Sequence, residues 1–150
     1  MRKLTIDLGI EEFEVDNGKV LRFNPADVNL FNRFCAAQQD ILQVEREMVE
    51  KAKAIGNDAT GETVISLLAE ADGKMKQILN KIFGCGNDFN DIFEGVNVMA
   101  VGANGERVIT NFLAVIAPIL QQGAQKAARN MAAQDAARIR KKLQDLGEKV

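Results

Sequence analysis

The stretch "GCGNDFNDIFEG", residues 84–95, combines residue types that occur in ligand-binding loops. Glycines and asparagines surround the carboxylates of Asp88, Asp91 and Glu94. Glycines let backbone amides approach a phosphate closely, and spaced carboxylates are the ligands that Ca²⁺ and Mg²⁺ prefer. The stretch therefore has to be compared with known phosphate and metal sites.

The spacing fits neither kind of site. If Asp88 were the first ligand of an EF-hand loop, Phe93 would stand where glycine is required and Met99 where the bidentate glutamate is required. A dinucleotide fingerprint would need a third glycine and a preceding strand. We therefore expect a structural role for this loop rather than a ligand site.

Helix signals give the loop a structural interpretation. Glycines at 84 and 86 are expected to end one helix, and Asn87 to cap a short helix that Gly95 ends. That helix would present Phe89, Ile92 and Phe93 together.

"GNDATGET", residues 56–63, has the spacing of a phosphate-binding P-loop with one decisive exception. Glu62 stands where the motif needs lysine, and its negative charge would repel phosphates. The stretch also follows a predicted helix instead of a strand. We interpret it as a turn in which Gly56 ends one helix and Thr60 caps the next.

Composition narrows the possible chemistry further. The chain of 150 residues contains no histidine, so the usual general base and the commonest metal ligand are missing. Cys35 and Cys85 are expected to be free, buried thiols, and they are too few for a zinc site without histidine. We predict a non-enzyme without metal or cofactor. An enzyme that uses Asp88 and Asp91 with magnesium is the least favoured of three possible functions; the other two, both non-enzymatic, are described below.

The apolar stretches predict a cytoplasmic protein of one domain. The longest, "FLAVIAPIL" at 112–120, is too short to span a membrane. The opening "MRKLTIDLGIEEFEV" turns acidic where a secretory signal would continue as an apolar core.

The first residues predict β-structure. Residues 4–8 alternate between apolar and polar, which indicates a half-buried strand. Two further strands are expected to share one apolar face, which requires a three-residue loop, 16–18, with Gly18 in the left-handed conformation. The residues of that face are Phe13, Val15, Leu21 and Phe23.

Helical periodicity follows. Asn24 is the predicted cap of a first helix, with Pro25 at its first position, and the helix is expected to continue to about Ile55. A second helix is predicted at 62–83. "VNVMAV" at 96–101 is ambiguous between a strand and a short helix, and "GANGE" at 102–106 is a turn.

A last helix is expected to begin near 104–106 and continue almost to the end, kinked or divided at Pro118. The predicted fold class is α+β and mostly α: an N-terminal β-hairpin or small meander, then a helical bundle with a long C-terminal helix. Its parts are a β-element at 1–23, a helical core at 24–122 and an extended basic helix at 123–150.

The extended basic helix contains the candidate partner-binding residues. Its large apolar residues are too sparse to anchor it to its own domain, whereas its alanines permit another helix to approach closely. The basic residues suit association with the acidic region 56–106 of another copy, whereas the lack of aromatic residues speaks against nucleic acid. We predict a homo-oligomer or a helical partner. The candidate residues are Met131, Arg138, Ile139, Leu143 and Leu146.

Three segments together resemble a known family: "GKVLRFNPADVNLFNRF", "GNDFNDIFEG" and "VITNFLAVIAPIL". They are similar to the tail assembly chaperones encoded beside the tape-measure gene in long-tailed, siphovirus-type phages and prophages. The resemblance is spread over most of the chain and rests on the arrangement of these segments. It implies a non-enzymatic protein of the host cytoplasm, absent from the mature virion.

The resemblance also implies partners. Such a protein binds the tape-measure protein, keeps its helices soluble and helps to recruit tail-tube subunits. The main alternative is a non-enzymatic helical adaptor or structural protein, including another tail or head-tail component.

Overall fold

A computed structural model of the chain describes residues 1–58, 60–84 and 86–148. Two strands, β1 (Glu11–Glu14) and β2 (Val20–Phe23), precede four helices. The helices are α1 (Val28–Ile55), α2 (Gly61–Phe83), α3 (Phe89–Ile92) and α4 (Val108–Glu148). The predicted fold class is confirmed: the protein is mostly helical, with a hairpin at the front and a long helix at the end.

The hairpin has the predicted loop. β1 and β2 pair antiparallel, with Phe13 opposite Leu21. The Val15 amide donates to the Lys19 carbonyl at 2.7 Å, which leaves three loop residues between them. Gly18 has φ of 79°, in the left-handed region, as predicted.

Residues 1–10, by contrast, do not form the predicted half-buried strand. Among the described residues they pair with no strand, and Leu4, Ile6 and Leu8 are exposed. The side-chain Nδ2 of Asn24 donates to the Leu8 carbonyl at 2.9 Å, and Gly9 has φ of 68°. The hydrogen bond and the left-handed conformation of Gly9 together direct the segment past the end of β2 instead of back along β1. The hairpin therefore has no third strand among the described residues.

The first helix begins later than predicted. Asn24 caps a turn rather than the helix, because its Oδ1 accepts from the Ala26 amide at 2.8 Å. Pro25 lies in this turn, and the helix cap is Asp27, whose carboxylate accepts from the Asn29 amide at 2.9 Å. Two residues with N-cap side chains stand three apart, and the sequence alone does not show which one starts the helix.

The connection between the two long helices follows the prediction. Gly56, with φ of 58°, ends α1, and a short 3₁₀ turn (Gly56–Asp58) follows. Thr60 caps α2 by accepting from the Thr63 amide. Ala59 of this turn lies outside the described residues. The P-loop interpretation fails on structure as well as on charge, since this segment joins two helices.

The core lies between α1, α2, the hairpin and the first half of α4. α1 and α2 run antiparallel, as shown by the pairing of Lys51 with Glu70 and of Glu47 with Lys74. Met75, Leu79 and Ile82 on α2 are fully buried between these elements. Cys35 on α1 is free but exposed, so the expected burial of this thiol was wrong. Cys85 lies outside the described residues.

α4 is one uninterrupted helix. Residues 96–101 form neither a strand nor a helix but turns and a single bridge between Val101 and Arg107, so the helix starts at Val108. Pro118 does not divide it. Ile116 and Leu120 are buried, whereas residues 128–147 are all exposed. No helix among the described residues has an apolar run long enough to cross a bilayer.

Candidate partner-binding site

The glycine-rich loop holds the β-hairpin in place. The Asn87 side chain accepts from the Arg22 amide and donates to the Arg22 carbonyl, both at 2.8 Å. It thereby occupies the outer edge of β2 like a further strand. Asn17 in the hairpin loop donates to the Ile92 carbonyl at 3.0 Å. The loop therefore contacts another part of the same chain.

The carboxylates of this loop also make structural contacts. Asp88, and not Asn87 as predicted, caps α3, and it accepts from the Asn90 and Asp91 amides. Asp91 forms an ion pair with Lys19 at 2.9 Å, and its hydrogen bond raises the pKa of that lysine. No group of three or more histidine, cysteine or acidic side chains with metal-binding geometry occurs in the described part of the chain.

An aromatic cluster lies beneath the loop. Phe89 and Ile92 of α3 are buried and Phe93 is partly buried, so the predicted presentation of these three residues is confirmed. Phe83 and Phe112 approach Phe89 with ring centroids 5.8 and 6.1 Å away. The cluster joins α2, α3 and α4 at one end of the core.

A second polar cluster, which the sequence did not predict, fixes the segment before α4. Asp72 forms an ion pair with Lys76 at 3.0 Å and accepts from the Val98 amide at 2.8 Å. Lys76 is only 8% exposed and also donates to the Val96 carbonyl. The i, i+4 spacing of Asp72 and Lys76 beside buried Met75 was the available signal.

The candidate residues all lie on the exposed part of α4. The exposed fractions of Met131, Ile139, Leu143 and Leu146 lie between 58% and 63%. With about 100° between successive helical residues, these four side chains fall within an arc of about 120°. Arg138 projects beside Met131, at one border of this arc. We call these five residues the distal stripe.

The distal stripe begins in line with the buried face of the same helix. Met131 follows the fully buried Leu120 by eleven residues, or about three helical turns, so the two share a face. Between them, Gly123 packs against the turn before α1, where an added Cβ would lie 1.8 Å from the Pro25 carbonyl oxygen. Beyond that contact the apolar face extends away from the domain, and no described residue packs against it.

Charge complementarity between copies is weaker than the sequence suggested. Several acidic residues of the middle region already pair within the domain, including Glu70 with Lys51 and Lys74, and Asp72 with Lys76. Hydrogen bonds from Lys51 and then Lys74 lower the pKa of Glu70. Fewer free carboxylates therefore remain to attract the basic helix of another copy.

Comparison of the chain with protein-family models, with curated proteins and with solved structures found no match. The function therefore has to be inferred from the residues and their geometry.

Proposed function

We propose that this protein is a tail assembly chaperone of a long-tailed phage or prophage, which binds and solubilises the helical tape-measure protein. The observation that carries the proposal is the distal stripe, an apolar helical face that leaves the domain and stays exposed. Helix-in-groove and helix-on-helix recognition both use such spaced apolar anchors.

The composition of α4 fits a client of this kind. Alanines at 124, 128 and 132 lie near the stripe and allow a second helix to approach closely. Arginines and lysines on the same helix keep the exposed segment soluble before the client binds. Recruitment of tail-tube subunits follows from the family resemblance and belongs to the same proposal.

The family resemblance suggests the identity of the client, and the exposed helical face of α4 supports a client that is itself helical. A helical adaptor or another tail component would use the same stripe with a different partner. The two functions differ in the partner that co-purifies. Co-expression with a tape-measure protein of a long-tailed phage is therefore the direct test.

A matched pair of variants sharpens this test. Ile139→Asp places a charge in the stripe, whereas Ala137→Asp places the same charge about 160° away on the same helix. We expect Ile139→Asp to reduce the recovery of soluble tape-measure protein at least tenfold, equivalent to about 1.4 kcal/mol. Ala137→Asp should retain the client.

Equal recovery with both variants would show that the stripe does not bind the client. Co-purification of an unrelated partner, with no effect on tape-measure solubility, would favour the adaptor function. Circular dichroism of both variants controls for loss of helix, since aspartate has the same low helix propensity at either position.

A further inference from the structure

Residues 1–10 have the pattern of a strand but no strand partner. Leu4, Ile6, Leu8 and Ile10 occupy every second position, and each is between 45% and 85% exposed. In an extended chain these side chains point to one face. A monomer leaves this whole face in water, which is costly for four large apolar side chains in sequence.

The hairpin has a free edge that could accept a strand. Val15 and Lys19 are hydrogen-bonded partners, so the alternation of the antiparallel ladder turns the amides and carbonyls of Glu12 and Glu14 outward from β1. Within the described residues these groups have no hydrogen-bond partner. The outer edge of β2 is different, because Asn87 occupies it at Arg22.

An apolar groove of about 480 Å³ lies alongside this free edge. Phe13 of β1 and Val15 just after it form one wall, and Phe112, Val115 and Ile119 of α4 form the other. Val115 is 66% exposed. A strand added to β1 would direct every second side chain into this groove, which is the spacing of the four apolar residues in segment 1–10.

The segment cannot reach the groove of its own chain as the structure stands. Asn24 holds the Leu8 carbonyl at the far end of β2, and Gly9 contacts the Asn24 side chain. A second copy meets no such restriction. Charge acts in both directions at this contact: Arg2 and Lys3 would lie near Asp16, whereas Asp7 would lie opposite Glu12. The match between the apolar spacing of the segment and the free edge of β1 therefore carries the argument.

We propose that segment 1–10 of one copy adds antiparallel to the free edge of β1 in a second copy. In the register that satisfies both apolar faces, Leu4 lies opposite Val15 and Ile6 opposite Phe13. Lys3 then lies opposite Asp16. This strand addition links copies independently of the distal stripe and of any client.

Complementary variants test this arrangement by light scattering. In a chain that ends at Gly123, which lacks the distal stripe, Ile6→Asp disables the donated strand and Val115→Asp disables the groove, so each variant alone should be monomeric. Mixed one to one, they should form dimers, because the intact strand of one fits the intact groove of the other. Thr5→Asn, which adds no charge opposite Glu14, and Ala114→Asp place polar side chains on faces directed away from the groove and should associate like the wild type.

Amide exchange locates the contact even if α4 also links copies. In the wild type, the Glu12 and Glu14 amides should exchange about fivefold more slowly when the total protein concentration is raised from far below the dissociation constant to ten times its value. Ile6→Asp should abolish this protection and Thr5→Asn should not. Exchange that is independent of concentration, or equal in both variants, would overturn the proposal, as would a mixture that stays monomeric. Client recovery is a separate measurement, so this result does not depend on the chaperone proposal.

Discussion

Gly123 is the residue at which α4 touches the turn before α1, and only glycine fits there. We predict that Gly123→Ala destabilises the protein by about 1–3 kcal/mol. The added methyl group would lie 1.8 Å from the Pro25 carbonyl oxygen, so either the helix or the turn must move. Thermal or urea unfolding measures the loss.

Gly73 gives the matched control for that change. It also lies inside a helix, but an added Cβ would meet nothing within 4 Å. Gly73→Ala should therefore stabilise the protein by about 0.5–1 kcal/mol, the usual gain from replacing a helical glycine. If both substitutions changed the free energy of unfolding in the same direction, the close approach at Gly123 would be contradicted.

Asp72 is the second residue whose contacts fix local structure, here the segment before α4. We predict that Asp72→Asn costs about 3 kcal/mol, because Lys76 would then be a buried charge without its carboxylate. Adding Lys76→Met should recover much of the loss, since it removes the charge and keeps the apolar contacts. Urea unfolding of the two variants measures the difference. A double variant no more stable than Asp72→Asn would show that the carboxylate acts mainly through the Val98 amide.

At the scale of elements, the sequence predicted what local rules determine. Gly18, Gly56 and Thr60 have conformations or caps that depend on a few neighbouring residues, and all three predictions are confirmed. The alternation of residues 4–8 was real, but whether a strand pairs depends on distant contacts. Here the Asn24 side chain and Gly9 decide it, which no local pattern shows.

For the candidate partner-binding surfaces too, the sequence predicted some features and could not predict others. The exposure of Met131 and Ile139 follows from the sparse apolar content of the helix, and the sequence was enough to expect it. The groove beside β1 could not be predicted, because it needs the hairpin and α4 to lie side by side. The same holds for Asn87, whose expected role was a helix cap and whose observed role is to pair with Arg22.

The ion pairs between α1 and α2 predict a specific dependence on pH. Lysines lower the pKa of Glu70, so its contribution to stability is complete above its unfolded pKa of about 4.5 and is lost as the pH falls through the lower folded pKa. We predict that Glu70→Gln loses less stability than the wild type between pH 7 and about pH 3. Melting temperatures at both pH values measure this.

The control is Glu50→Gln, at an exposed glutamate of α1 that forms no ion pair within the described residues. It should show the same pH dependence as the wild type. The difference between the two variants should shrink in high salt, because the pairs are exposed and salt screens them. An unchanged acid response in Glu70→Gln would show that these ion pairs do not contribute measurably.

For the whole molecule, stability and association belong to different parts of the chain. The buried core of the described residues extends only as far as Leu120, whereas two of the exposed apolar surfaces, segment 1–10 and the distal stripe, lie outside that core. The two proposed contacts, with a second copy and with a client, therefore involve residues that the folded core does not use. We therefore expect that either surface can be removed without unfolding the domain.

The last prediction concerns a chain that ends at Gly123. We expect it to fold with a melting temperature within a few degrees of the full-length protein, because no buried core residue is lost. It should still dimerise through segment 1–10 but should no longer recover soluble tape-measure protein. Light scattering at low and high salt, with co-expression of the client, measures both properties. If the shortened chain formed the same assemblies and retained the client as well as the full chain does, the distal stripe would have no part in assembly.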